Sequence, residues 1–165
     1  MAPTPSVKIE RINPDNAAAR RLIALSDELM NSLYPAESNH LDGVAALQAP
    51  GVAFFGGYVG DELVACGAVK VQPDDSRCAE LKRVFVAAEH RGLGLSKAIM
   101  AALELHMQAI GVRTARLETG IKNPEALGLY ARLGYVERGP FGGYALDALS
   151  VFMEKHIEPQ ASIKQ

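Results

Sequence analysis

The stretch Arg91-Gly92-Leu93-Gly94-Leu95-Ser96 combines a guanidinium, two glycines and a hydroxyl. It lies where a β-rich run, LKRVFVA, gives way to an apolar helical pattern. No acidic residue follows Arg91 until Glu104. A helix N-terminus presents unpaired N–H groups and about half a positive charge. Glycines at 92 and 94 remove two Cβ atoms, so a ligand can reach the backbone itself. Arg91 adds a fixed charge with bidentate geometry. This combination suits the cradling of a phosphate or pyrophosphate. A tight strand-to-helix turn without a ligand would use the same glycines.

Three phosphate motifs can be compared with it. A P-loop needs GxxxxGK followed by Ser or Thr, and GLGLSK carries Ser96 and Lys97 in the reverse order. A dinucleotide fingerprint needs GxGxxG, but Lys97 stands at the third glycine position. Too little chain follows Gly94 for the strands of a doubly wound domain, which also argues against a nucleotide-dependent oxidoreductase.

The third comparison fits. Residues 91–96 resemble the Q/R-x-x-G-x-G/A loop of the GNAT (N-acetyltransferase) superfamily, which holds the pyrophosphate of acetyl-CoA. Upstream, ELKRVFVAAEHRGLGL is similar to the E-x-K-R-x-x-V-x-P-x-x-R-G-x-G segment of bacterial members. Downstream, NPEALGLYARLGYVE resembles the family's N-xx-A-xx-L-Y-xx-x-G-F segment. Together these cover residues 80–137. The departures are Ser96 for a small Gly or Ala, Ala88 for proline and Tyr135 for phenylalanine, and none removes a catalytic group.

The resemblance implies an acetyl-CoA-dependent acyltransferase without a metal, acting on an amine by direct attack in a ternary complex. It places Tyr130 as the acid that protonates the leaving sulfur and Glu80 as the base that deprotonates the amine, directly or through water. Alternatives stand beside both roles. Tyr130 shares a buried face with Ala126, Leu127 and Leu133, and Glu80 could simply pair with Lys82, Arg83 or Arg77. Glu118 is a reserve base. The resemblance also implies that Phe85, Val86, Arg91, Gly92, Leu93, Gly94, Leu95, Ser96, Asn123 and Ala126 hold the coenzyme. Asn123 also reads as a helix N-cap.

The acceptor wall is expected from LYPAESNHLD, the Glu80 strand and the late loop GPFGGYALDAL. Tyr34, Tyr144, Phe141, Glu118 and Arg83 are its candidate lining groups. Lys82 and Arg83 would either grip an acceptor carboxylate or sit on a solvated strand face. No long acidic groove suggests a basic peptide, so a small polar amine or amino acid is the expected acceptor. Acetylation of a protein amine and a CoA-binding regulatory module without turnover are the other readings. Dimers are common among similar proteins, so a homodimer is possible.

The elements that must position these groups follow from periodicity. SVKIERI alternates as a strand. A helix follows, with Asn13 expected as N-cap and Ala18, Leu22, Leu25, Leu29 and Leu33 on its apolar face. SNHLDGVAALQAP reads as a short second helix. Three apolar runs separated by VGDE and QPDDSR predict an antiparallel meander. The Gly92–Ile110 helix, expected to be buried except for a stripe at Lys97, Glu104 and Gln108, leads to a strand, a short helix and two closing strands. The expected fold is therefore α/β and GNAT-like. It has a mixed, mostly antiparallel sheet of about seven strands, about four helices, and a splay between strands 4 and 5. Residues 1–158 are expected to be one domain and 159–165 a flexible tail.

The remaining features limit the function. Seventeen Lys and Arg against nineteen Asp and Glu leave no cationic excess for nucleic acid. Cys66, Cys78 and the four histidines lack metal-ligand spacing. MAPTPSVKIE shows no signal pattern and no apolar run is long enough for a membrane span, so a cytoplasmic location is expected.

Overall fold

Two short polar turns build the middle of the sheet. They connect β2 (Val52–Val59), β3 (Glu62–Gln72) and β4 (Asp75–Val86) as antiparallel neighbours. The computed structural model describes residues 6–160. Around this meander lie β1 (Val7–Arg11), α1 (Ala17–Leu33), α2 (Val44–Leu47), α3 (Leu95–Ala109), β5 (Thr114–Gly120), α4 (Pro124–Arg132), β6 (Val136–Arg138) and β7 (Ser150–His156). The sheet order is β1-β2-β3-β4-β5-β7-β6, and only β4 and β5 run parallel. This is the mixed α/β architecture expected. Residues 161–165 of the expected tail lie outside the described residues.

Three helix details depart from the sequence reading. Asn13 does not cap α1; its Oδ1 accepts from the Asp15 N–H and so forms a turn before the helix. Asn16 is the cap, and its Oδ1 accepts from the Ala19 N–H at 2.7 Å. The buried face is Ala19, Leu22, Ile23 and Ser26, and Leu25 is exposed. α3 begins at Leu95 rather than Gly92, because Gly94 sits at φ 76° as its N-cap. α3 also leaves Leu105 and Ile110 exposed, so its wet face is wider than the polar stripe.

β3 is buried along its middle, Leu63 to Val69, which requires cover on both sheet faces. α3 supplies one layer through Ile99, Met100, Leu103 and Met107. Gly67 permits its close approach. A Cβ there would stand 2.8 Å from Ile99 Cγ2 and 3.0 Å from Leu103 Cδ1. Glu104 ties α3 to the far end of the sheet, accepting from Tyr135 Oη at 3.0 Å and Lys155 Nζ at 2.7 Å.

Overpacking of this kind costs about 1–3 kcal/mol. Gly67→Val should therefore lower the urea midpoint without changing the m-value. An unchanged midpoint would mean that α3 does not press on β3 at this position.

Candidate active site

β4 and β5 are paired only from Cys78↔Thr114 to Leu81↔Leu117. Beyond that point β4 continues to Val86 beside β3, and β5 continues to Gly120 beside β7. The facing edges separate, so the expected splay is present. It begins at a bulge. Cys66 opposes Phe85 and Ala68 opposes Lys82, which leaves Arg83 and Val84 opposite Gly67 alone. Arg83 adopts φ 57°, a left-handed conformation that costs a non-glycine residue about 1–3 kcal/mol.

Arg83 is held there by its own side chain. Nε donates to the Asp42 carbonyl at 2.9 Å, and Nη1 donates to Ser26 Oγ at 3.3 Å. Nη1 also lies 2.5 Å from Asp27 Oδ1. The side chain is 3% exposed. It neither lies on a solvated face nor offers a free guanidinium to an acceptor; it braces the bulge against α1.

A cavity of about 960 Å³ fills the opening. Its coenzyme end is lined by Phe85, Val86, Arg91, Gly92, Gly94, Leu95 and Ser96, and across the splay by Asn123, Ala126 and Tyr130. Leu93 does not line it and is 49% exposed. Gly92 (φ 85°) and Gly94 (φ 76°) are left-handed, and a Cβ on either would meet nothing within 4 Å. Neither glycine is there to spare a protein contact. α3 has no side-chain cap and no acidic residue in its first turn. Its N-terminal amides, with Arg91 beside them, fit a pyrophosphate. Asn123 stands at the α4 N-cap position but makes no side-chain cap bond, so its amide is not consumed by the helix.

Tyr130 is 7% exposed and lines this cavity. Burial pushes its phenol up to about 12, which keeps it protonated at neutral pH. Opposite the splay, Tyr34 ties α1 to the β5–α4 connection by accepting the Lys122 N–H at 3.0 Å. It occupies the space that a side chain at residue 120 would need, since a Cβ on Gly120 would fall 2.0 Å from its hydroxyl.

The acceptor end brings together groups distant in sequence. Glu80 is 5% exposed and does not line the cavity. Tyr144, which does, donates a short hydrogen bond to Glu80 Oε2. Lys82 Nζ donates to the Tyr144 hydroxyl at 3.0 Å and lies 3.3 Å from Asp42 and 3.5 Å from Glu80. Lys82 is thus a buried, paired cation, neither solvated nor free for a carboxylate. Burial, then the charge of Glu80, pushes the Tyr144 phenol well above its ordinary range. Phe141 is set back from the cavity, packed edge-on to Tyr144 and between Arg116 and Arg138.

Glu118 lies on the β5 lip, one residue past the last β4–β5 pair, and lines the cavity. Its Oε2 accepts from Ser150 Oγ at 2.9 Å and faces His40 Nε2 at 3.8 Å. Burial raises its carboxyl; the Ser150 hydrogen bond, then His40 and Lys82, pull against that rise. The stretch LYPAESNHLD was expected at the acceptor wall, but the individual roles of His40 and Asp42, and the part played by Ser150, were missed in the sequence. They carry no motif; His40 and Asp42 reach the site from the loop before α2, and Ser150 from the start of β7. Among the described residues no His/Cys/Asp/Glu group could hold a metal, and no helix is long and apolar enough to cross a membrane.

Known proteins share this fold and sequence. The family described as acetyltransferase (GNAT) matches residues 13–135. The chain is 36% identical over 153 residues to an IAA acetyltransferase of Azospirillum brasilense, covering 93% of this chain and 99% of that one. It is 32% identical over 151 residues to the uncharacterized N-acetyltransferase YsnE of Bacillus subtilis, covering 88% and 99%. A solved Klebsiella pneumoniae protein assigned as an acyl-CoA N-acyltransferase superposes with a TM-score of 0.79 at 34% identity, covering 92% and 98%. The N-acetyltransferase PaiA of Thermoplasma acidophilum, solved with coenzyme A, shares the fold at a TM-score of 0.71 and 17% identity, covering 92% and 99%. With the splayed sheet, the uncapped glycine turn and the buried phenol in one cavity, the chain belongs to the GNAT family of acetyltransferases.

Proposed function

We propose that the protein transfers the acetyl group of acetyl-CoA to the primary amine of a small polar molecule, in a complex holding both substrates. The observation that carries this reading is a single cavity joining two features. One is a helix N-terminus left open by Gly92 and Gly94, and the other is the unpaired edge of β4 facing Tyr130.

Acetyl-CoA supplies an activated thioester. The α3 amides and Arg91 hold its diphosphate. The free β4 edge from Lys82 to Val86 pairs with its amide-bearing arm as with an added strand. Asn123 and Ala126 close the arm in from the other lip. An acceptor ammonium has a pKa near 10.4 and no lone pair at pH 7, so one proton must leave before attack. The Tyr144 hydroxyl takes that proton while passing its own to Glu80, and Lys82 beside it steadies the charge that develops. As the new C–N bond forms and the C–S bond breaks, Tyr130 gives its proton to the departing sulfur. It regains one from the nitrogen, so one proton in all is released for each amine acetylated.

Three measurements test this reading. Release of CoA over a panel of small amines should be saturable in both substrates; saturable acetyl-CoA binding with no turnover on any amine would favour a regulatory module instead. Tyr130→Phe should lower kcat by about a hundredfold, the scale of general acid catalysis, and leave acetyl-CoA affinity nearly unchanged. Undiminished turnover would remove Tyr130 as the acid. Gly94→Val should weaken acetyl-CoA binding about tenfold or more in calorimetry, because its side chain fills the approach to the amides. Normal affinity would contradict the cradle.

A further inference from the structure

Cations and anions are distributed unevenly along the cavity. At the coenzyme end Arg91, Lys97 and Arg132 are exposed and suited to phosphates. At the acceptor end each buried cation already has a carboxylate. Lys82 lies against Asp42 and Glu80, and Arg83 lies against Asp27; the partly exposed Lys70 outside the cavity also lies 3.8 Å from Asp42. The exception to this pairing is Glu118. Its side chain is 15% exposed, and no Lys or Arg stands within ion-pair distance of it among the described residues. Both of its contacts, Ser150 and His40, are made by Oε2, so Oε1 has no protein donor among the described residues.

A half-starved carboxylate at the wall of an acceptor cavity is costly unless a cation joins it. We infer that Glu118 is the anchor for the acceptor's ammonium group, and that the enzyme selects cationic amines without a carboxylate beside the amine. This rests on the amine-acetylation reading above and narrows its acceptor class. An amino acid would bring a second charge into a pocket whose cations are spent. It would there meet the carboxylate of Glu118, which has no Lys or Arg partner among the described residues, and like charges in a poorly solvated site repel strongly. The remaining wall suits the rest of such a molecule. Met30, Leu33 and Leu149 offer apolar contact, and Tyr34 and Tyr144 also line it. Lys122 is the one cation nearby that lacks a carboxylate partner among the described residues. It is exposed, with its ammonium 5.9 Å from the centre of the Tyr34 ring. It is the seat that an acceptor carboxylate at this end would use.

The test uses matched pairs, tyramine with tyrosine and cadaverine with lysine, each assayed for CoA release with the full chain. The member without the carboxylate should show kcat/KM about tenfold or more above its partner. Glu118→Gln, which keeps the Ser150 hydrogen bond, should raise the amine KM about tenfold and move kcat little, with acetyl-CoA affinity intact. Lys122→Met should leave the preference in place. Amino acids favoured over the amines, especially if Lys122→Met abolishes that advantage, would overturn the assignment. So would an amine KM indifferent to Glu118→Gln. Binding of tyramine and cadaverine measured directly by calorimetry separates this inference from the reaction itself. Amine binding that Glu118→Gln abolishes, in a protein that never releases CoA, would sink the transfer reading and keep the anchor. Absence of amine binding to the parent protein would sink the anchor.

Discussion

The site exists because β4 leaves β5 after Leu81, and β4 leaves because of the left-handed bulge at Arg83. Two residues opposite Gly67 turn the strand, and a non-glycine residue held at positive φ is strained. The guanidinium offsets that strain by three contacts to α1 and the loop before α2. Gly67 serves both sides of the arrangement. It faces the bulge across the β3–β4 pair and lets α3 rest directly on β3. The position of α3, and so of the amides at its N-terminus, is coupled through this one glycine to the unpaired edge of β4.

The two ends of the cavity are built on opposite electrostatic rules. The coenzyme end is exposed and cationic, with backbone amides supplying most of the directionality. At the acceptor end the Lys82 cluster is buried and internally neutralised, with charges that satisfy one another at 3–4 Å, while Glu118 has no Lys or Arg partner among the described residues. Buried charges in such a cluster give little net stability but fix geometry, because any one of them left alone would be expensive. Tyr144 is the hinge of that cluster. It donates to Glu80, accepts from Lys82 and packs against Phe141 and Phe152, so its hydroxyl has essentially one position.

Local chemistry was legible in the chain. The glycine turn, the Asn-Pro start and Gly134 stop of α4, and the three-strand meander each depend on residues within a few positions of one another. Such features survive reading in one dimension, and they carried the family resemblance and the strand order. The boundaries that slipped did so because local signals competed. Asn13 and Asn16 both suit a helix start, and Asn13 was committed instead to a turn.

What the sequence determined by itself was a glycine turn at a helix N-terminus and a phenol on the short helix after the next strand, since both are set by backbone conformation and short spacing. Only the tertiary structure decided what the charged side chains do. Arg83 became a brace, Lys82 a buried partner, Glu80 a group screened by Tyr144, and Glu118 the carboxylate left facing the cavity. The physical reason is that a charge takes its role from whatever opposite charge comes within about 4 Å, and here Asp27, His40 and Asp42 arrive from α1 and the loop after it, 40 to 78 residues away in the chain.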